Sequence, residues 1–183
     1  MPISDLPSPP SFSPSTALRR WYALGAGVCF LLIGFALFSQ FQWGLQPCPL
    51  CIFQRIAFAG LGVVFTLGAA HNPQGTGRWI YASGALLPAL GGSAIAARHV
   101  WLTHLPADQV PSCGPGLNFL MDAFPLWNVV KMVLTGSGEC AKVDWTFLGL
   151  SMPAWSLVWF IGLTLVVLVG AWRQKPVKIN TVF

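Results

Sequence analysis

Four long apolar stretches dominate the chain and leave few folds open to it. They run from about Trp21 to Phe41, Ile52 to Ala70, Trp79 to Val100 and Trp155 to Trp172. Each approximates the ~20 residues a helix needs to cross the ~30 Å hydrocarbon layer of a bilayer. In lipid the backbone must satisfy its own hydrogen bonds, so such segments fold as helices. Tryptophans 21, 79, 155 and 172 stand at their ends, the position expected of an aromatic belt. Only 8% of the 183 residues are charged, against about a quarter in ordinary soluble domains. A soluble, disordered or fibrous chain is excluded on that ground, and the expected fold is an all-α membrane protein, a four-transmembrane-helix bundle.

The connections between the spans are unequal. A short loop covers about 42–51, another joins His71 to Arg78, and a long one covers about 101–153. With four spans, both termini and the middle loop share one side. That side carries Arg19, Arg20, Arg78, Arg173, Lys175 and Lys178, whereas the other carries only Lys131 and Lys142. Arg55 and Arg98 lie within spans and stand outside this comparison. The positive-inside rule then puts the termini in the cytoplasm and the 42–51 and 101–153 loops outside. The net charge of +5 is therefore a topology signal, and a nucleic-acid partner, which needs a clustered basic face, is not expected. Residues 1–20 are expected to be a disordered, Pro/Ser-rich cytoplasmic segment, and 173–183 a basic cytoplasmic tail. The membrane domain is then 21–172, with an uncleaved first span. Within the long loop, Leu117 to Leu134 is apolar with scattered polar residues, and Pro125 interrupts it. It suits either a short amphipathic helix in the membrane interface or a loop segment packed over the bundle.

Five cysteines carry the chemistry. Cys29 lies mid-span and is expected to act as a small hydrophobe. Cys48, Cys51, Cys113 and Cys140 all fall on the outer side, where thiols form disulfides that persist. Cys48-Pro49-Leu50-Cys51 is a Cys-x-x-Cys, a spacing shared by redox, metal and structural pairs. Zinc held by four thiolates is disfavoured because Cys113 and Cys140 form no second tight pair, and no metal ligand set is assigned. A purely structural role is weak because so small a loop gains little entropy on closure. Interconversion of thiol and disulfide suits the spacing, with Cys51 near the start of the second span. Arg55, four residues on, projects from the same helix face as Cys51. An arginine within a span costs about 2.5–3.5 kcal/mol at mid-bilayer and less near the interface. It either snorkels to that interface or stabilises a Cys51 thiolate and charge developing on a bound electron acceptor. Cys113 and Cys140 sit in turn-rich settings, where a disulfide either staples the loop or exchanges with a partner's thiolate.

At these residues the sequence resembles a known family. Pro47-Cys48-Pro49-Leu50-Cys51-Ile52-Phe53-Gln54-Arg55 resembles the redox motif of the disulfide bond formation protein B (DsbB) family. Ser137-Gly138-Glu139-Cys140-Ala141, followed by the run from Trp145 to Pro153, resembles that family's second-loop signature. The resemblance covers about Trp21 to Trp172. It implies a quinone-dependent thiol oxidase of the bacterial inner membrane that reoxidises a periplasmic DsbA-type oxidant. By the same analogy Cys113–Cys140 meets the partner, Cys113 is attacked, and Cys140 passes electrons to Cys48–Cys51. Cys51 then stands beside ubiquinone, or menaquinone, with Arg55 stabilising the charge.

The resemblance also implies that His99, near the outer end of the third span, contacts the quinone, although it equally suits an interface residue capping that helix. Met152, before Pro153, is expected to line the pocket. His71 and His104 are expected to be ordinary solvent-facing residues. Pro49 departs from relatives, in which an apolar branched residue is common there. Competing readings are a disulfide-stapled interaction protein, a vitamin K epoxide reductase-like quinone reductase and a metal-binding membrane protein.

Overall fold

The computed structural model describes residues 14–173 apart from 107, 113, 115 and 116. Four long helices form the body: α1 (Pro14–Gln42), α2 (Pro49–His71), α3 (Gly77–Thr103) and α7 (Met152–Arg173). All four are long and apolar enough to cross a membrane, over 18–42, 49–71, 77–103 and 152–172. Large apolar side chains such as Leu31, Phe41, Leu87 and Leu165 point outward, as lipid-facing residues do. The protein is thus the expected four-helix membrane bundle. Hydroxyls inside the helices are satisfied locally; Thr66, Ser93 and Thr164, for example, bond carbonyls one turn back.

α1 packs on α2, α2 on α3, and α3 on α7. The close approach of α3 rests on a stripe of small buried residues, Ala82, Ala85, Ala89, Gly92 and Ala96. Lipid supplies little hydrophobic drive between helices, so contact depends on backbones coming near one another. Gly92 shows the limit: a Cβ there would lie 2.4 Å from the Phe160 ring. Phe160 is fully buried and stacks on Phe58 at 3.9 Å, locking α7 to α2 through the space that Gly92 leaves.

Two helix starts differ from the sequence expectation. α1 begins at Pro14, inside the segment expected to be disordered; residues 1–13 lie outside those described. Proline fits the first helical turn, where its missing N–H has no partner to lose. α2 begins at Pro49, so the Cys-x-x-Cys forms its first turn instead of preceding it. Cys48 is the N-cap, its sulfur accepting the Cys51 N–H at 3.4 Å, and Pro49 occupies the position proline favours.

The long loop between α3 and α7 is largely structured. Pro125 separates α4 (Leu117–Ala123) from α5 (Leu126–Thr135), and α6 (Gly138–Ala141) carries Cys140. α5 turns Val129 and Val133 inward onto a cluster with Cys48, Leu50, Leu102, Leu120 and Cys140. Its other face exposes Leu126, Trp127 and Met132. The segment is therefore helical and also packs over the bundle's outer end. Arg98 secures it by donating to the carbonyls of Leu134 and Thr135 at 3.3 and 2.9 Å, where α5 ends and carries partial negative charge. Gly136, at φ 88°, sits against Leu102 and turns the chain towards Cys140. A two-stranded hairpin follows, β1 (Thr146–Phe147) with β2 (Leu150–Ser151). Its turn residues Leu148 and Gly149 both have positive φ, 52° and 79°, the geometry a two-residue hairpin loop favours. The Trp155 indole donates to the Phe147 carbonyl at 3.0 Å and fixes the hairpin to α7.

Candidate functional site

Three of the four redox candidates, Cys48, Cys51 and Cys140, come together at the N-terminal end of α2. The Cys48 and Cys51 sulfurs are 3.1 Å apart, and both residues are free thiols, as are Cys140 and the buried Cys29. Cys48 is buried under the outer cluster, whereas Cys51 is only partly covered. This asymmetry follows from the helix: the N-cap residue lies beneath α5 and α6, and Cys51, on the next exposed face, looks towards α1 and α7.

On the Cys48 side stand His99 and Cys140. His99 is a buried polar residue of α3, its Nε2 lying 3.7 Å from the Cys48 sulfur and 3.0 Å from the Cys140 carbonyl oxygen. Its Nδ1 is held at 3.0 Å by the Gln54 side-chain amide, also buried. The Cys140 thiol is fully buried and hydrogen-bonds Cys48; that bond and its burial push its pKa well above the ordinary thiol value. Cys48 and the long loop's Cys140 thus share one buried cluster. Cys113, the other cysteine of that loop, lies outside the described residues.

On the Cys51 side opens a cavity of about 320 Å³. It is lined by Leu32, Ile33, Phe35 and Ala36 of α1, by Cys51, Gln54, Arg55 and Phe58 of α2, by Trp145 and Phe147, and by Met152, Trp155 and Trp159 of α7. Its walls are apolar and aromatic except around Cys51, Gln54 and Arg55 and at Ser156, whose hydroxyl is engaged by the Met152 carbonyl. This is the character of a small-molecule site, typically ~300–1,000 Å³ with a few convergent polar groups. Arg55 does not turn away to solvent. Its guanidinium donates to Gln40 Oε1 at 2.6 Å and to the Ala36 carbonyl at 3.0 Å, both on α1. Both acceptors are uncharged, so the cation is held in place without being neutralised. Trp145 stacks on Trp43 and on Phe147 and tilts against Phe35, closing one wall with residues from both outer loops.

Arg55 and Met152 both line this cavity together with Cys51. His99 does not line that cavity. It lines a smaller, more polar one of about 70 Å³, shared with Cys48, Cys51, Arg55, Glu139 and Asp144. Gln54, Gln40 and Trp145 were given no role from the sequence. Gln54 and Trp145 lie within the two motifs that carry the resemblance, and Gln40 was recognisable only as a polar residue near the end of the first span. His104 and His71 are both exposed as expected, and His71 also hydrogen-bonds the Tyr81 hydroxyl at the far end of the bundle.

Comparison with known proteins identifies a family. Residues 18–170 match the family described as "Disulfide bond formation protein DsbB". Among curated relatives, "Disulfide bond formation protein B" of Hahella chejuensis is 54% identical over 153 residues, covering 81% of this chain and 92% of the relative. The protein of the same description from Methylococcus capsulatus is 50% identical over 157 residues, covering 86% and 96%. That from Chromobacterium violaceum is 51% identical over 144 residues, covering 79% and 87%.

Proposed function

The chain belongs to the disulfide bond formation protein DsbB family and is a membrane disulfide oxidoreductase; from that premise we propose that it draws electrons from a periplasmic DsbA-type dithiol and delivers them to a membrane quinone. The observation that carries this reading is the two-sidedness of the Cys48–Cys51 pair. Cys48 faces Cys140, and Cys51 faces the apolar cavity beside Arg55. A pair built this way takes electrons on one side and gives them up on the other.

In the proposed cycle a partner thiolate attacks Cys113 of a Cys113–Cys140 disulfide and releases Cys140 as a thiolate. Burial holds that thiolate at high free energy, so it attacks Cys48 of the Cys48–Cys51 disulfide and frees Cys51 as a thiolate. The partner's second thiol resolves the mixed disulfide and releases Cys113. Cys113 then re-forms its bond with Cys140, and the electron pair rests on Cys48 and Cys51. His99 Nε2 stands where it can protonate the departing Cys48 sulfur, with Gln54 fixing the ring. This assigns His99 to proton transfer between the two cysteine pairs and leaves contact with the acceptor to Cys51, Arg55 and Met152.

A quinone fits the residues of the larger cavity. Its flat ring suits walls of Phe58, Trp145, Phe147 and Trp159, and Gln54 and Arg55 offer donors to a carbonyl oxygen. Ubiquinone, or menaquinone in its place, supplies a two-electron acceptor dissolved in the lipid phase. The Arg55 guanidinium, kept un-neutralised by Gln40 and Ala36, stabilises negative charge at that end of the cavity. The cysteines and both outer loops are assigned to the periplasmic face of the bacterial inner membrane, and both termini to the cytoplasm.

Purified protein supplied with a reduced DsbA-type partner and ubiquinone tests the reading. Quinone reduction coupled to partner oxidation is expected, and it should be lost in Cys51→Ser and in Cys140→Ser proteins that still insert normally. Undiminished quinone reduction in either variant refutes the assigned route.

A further inference from the structure

The same outer site contains a donor set that redox chemistry alone does not require. The Cys48 sulfur, the Cys51 sulfur and a ring nitrogen of His99 all lie within 4.8 Å of one another. We propose that the reduced protein binds a thiophilic divalent cation of the zinc class through Cys48, Cys51 and His99, and that the bound ion holds the enzyme in its reduced, non-turning form.

The geometry is close to what such an ion needs. Tetrahedral zinc with Zn–S near ~2.3 Å and Zn–N near ~2.0–2.1 Å sets ligand separations of about 3.8 Å between sulfurs and 3.5 Å between sulfur and nitrogen. Cys48 Sγ to His99 Nε2 is 3.7 Å, and Cys48 Sγ to Cys51 Sγ is 3.1 Å. A rotation of the partly covered Cys51 side chain opens the second distance. Gln54 Nε2 lies 3.0 Å from His99 Nδ1; in the metal-bound form Nδ1 carries the proton, so the Gln54 amide turns its oxygen to accept it and becomes the outer partner that metal-binding histidines use to fix their orientation. The small polar cavity provides space for water as a fourth ligand; on its wall Glu139 and Asp144 attract a cation, whereas Lys142 and Arg55 repel it. The attraction therefore rests on the two thiolates, and the Arg55 guanidinium is engaged by α1. Four-thiolate zinc is disfavoured because Cys113 and Cys140 form no second tight pair in the sequence; α3 brings in an imidazole instead.

Binding is tied to redox state. Each thiol gives its proton to solvent as the metal–sulfur bond forms. A Cys48–Cys51 disulfide has no thiolate to offer, so the oxidised protein loses two of three ligands. Metal and electron acceptor then compete for the same pair of sulfurs.

Full-length protein in detergent, reduced and freed of reductant, is titrated with Co²⁺ and read by its thiolate-to-cobalt and tetrahedral absorption bands, with Zn²⁺ as competitor. One Co²⁺ per reduced protein is expected, displaced by Zn²⁺, with no such bands from the oxidised protein. His99→Ala and Cys48→Ser should each weaken binding at least ~10-fold, and Gln54→Leu by ~10-fold with the fold intact by circular dichroism. Equal binding by the oxidised protein, or by a reduced protein carrying Cys48→Ser and Cys51→Ser, overturns the proposal, as does full affinity in correctly folded His99→Ala. No partner or quinone is present, so failure here leaves the proposed oxidase cycle standing.

Discussion

Replacing Gln40 by leucine tests whether Arg55 works because α1 holds it. The guanidinium has a 2.6 Å bond to Gln40 Oε1 and a 3.0 Å bond to the Ala36 carbonyl. Hydrogen bonds to charged groups contribute about 1.5–3 kcal/mol each. Gln40→Leu removes the shorter bond and leaves a donor unsatisfied beside lipid. The side chain is then drawn towards the outer interface, where water satisfies it. If the active orientation loses that full difference, its population falls by roughly 10- to 150-fold, since each ~1.4 kcal/mol is a factor of ten. Turnover of ubiquinone by a reduced DsbA-type partner should fall within that range, with normal membrane insertion. Gln40→Glu separates position from charge. It keeps an acceptor for Arg55 but sets a carboxylate against the cation, so thermal stability should hold while turnover still falls. Turnover within twofold of the parent in both variants would refute the reasoning.

Trp145→Ala removes aromatic contacts to Trp43, Phe35 and Phe147, each ~0.5–1.5 kcal/mol. It should raise the half-saturating quinone concentration about tenfold and leave kcat within a few-fold; an unchanged half-saturation in steady-state assays contradicts its place in the cavity wall. Gly92→Ala forces a methyl against the Phe160 ring and should destabilise the bundle by about 1–3 kcal/mol, read as a lowered Tm in detergent. Burial and the bond to Cys48 raise the pKa of the Cys140 thiol, so the folded, reduced protein keeps a proton that the unfolded chain releases. Its contribution is intact below the ordinary thiol pKa of about 8.5 and is lost as pH rises beyond it. Stability of the reduced protein should therefore fall from pH 8 to 10, and less steeply in Cys140→Ser; equal slopes would contradict the assignment.

The spans were legible because lipid imposes a length and an apolarity that a single sequence displays directly. Cys51 and Arg55 were legible because one helical turn relates them, which fixes a shared face, and Cys48 because the Cys-x-x-Cys spacing marks the pair whichever way each sulfur points. The start of α1 was hidden because proline and serine signal both disorder and a helix N-terminus, and composition does not separate the two. The hairpin at 146–151 is too short for any periodicity to register; only Gly149 hinted at a positive-φ turn. His99 shows the sharper limit. Its position along α3 was readable, but the side it serves depends on where α5 and α6 bring Cys140, and that is set by tertiary packing around Leu50, Leu102, Val129 and Val133. Gln40 was equally out of reach, since its partner Arg55 belongs to another helix.

The central claim is that Cys48 and Cys51 alone form the pair that delivers electrons to the acceptor cavity. A protein with Cys113→Ser and Cys140→Ser, fully reduced and mixed with ubiquinone in the absence of any partner, isolates that step in a single turnover followed by quinone absorbance. One quinone reduced per protein, with Cys48 and Cys51 recovered as a disulfide, is the expected result. No reduction by this protein, or equal reduction by one retaining only Cys113 and Cys140, would contradict the account.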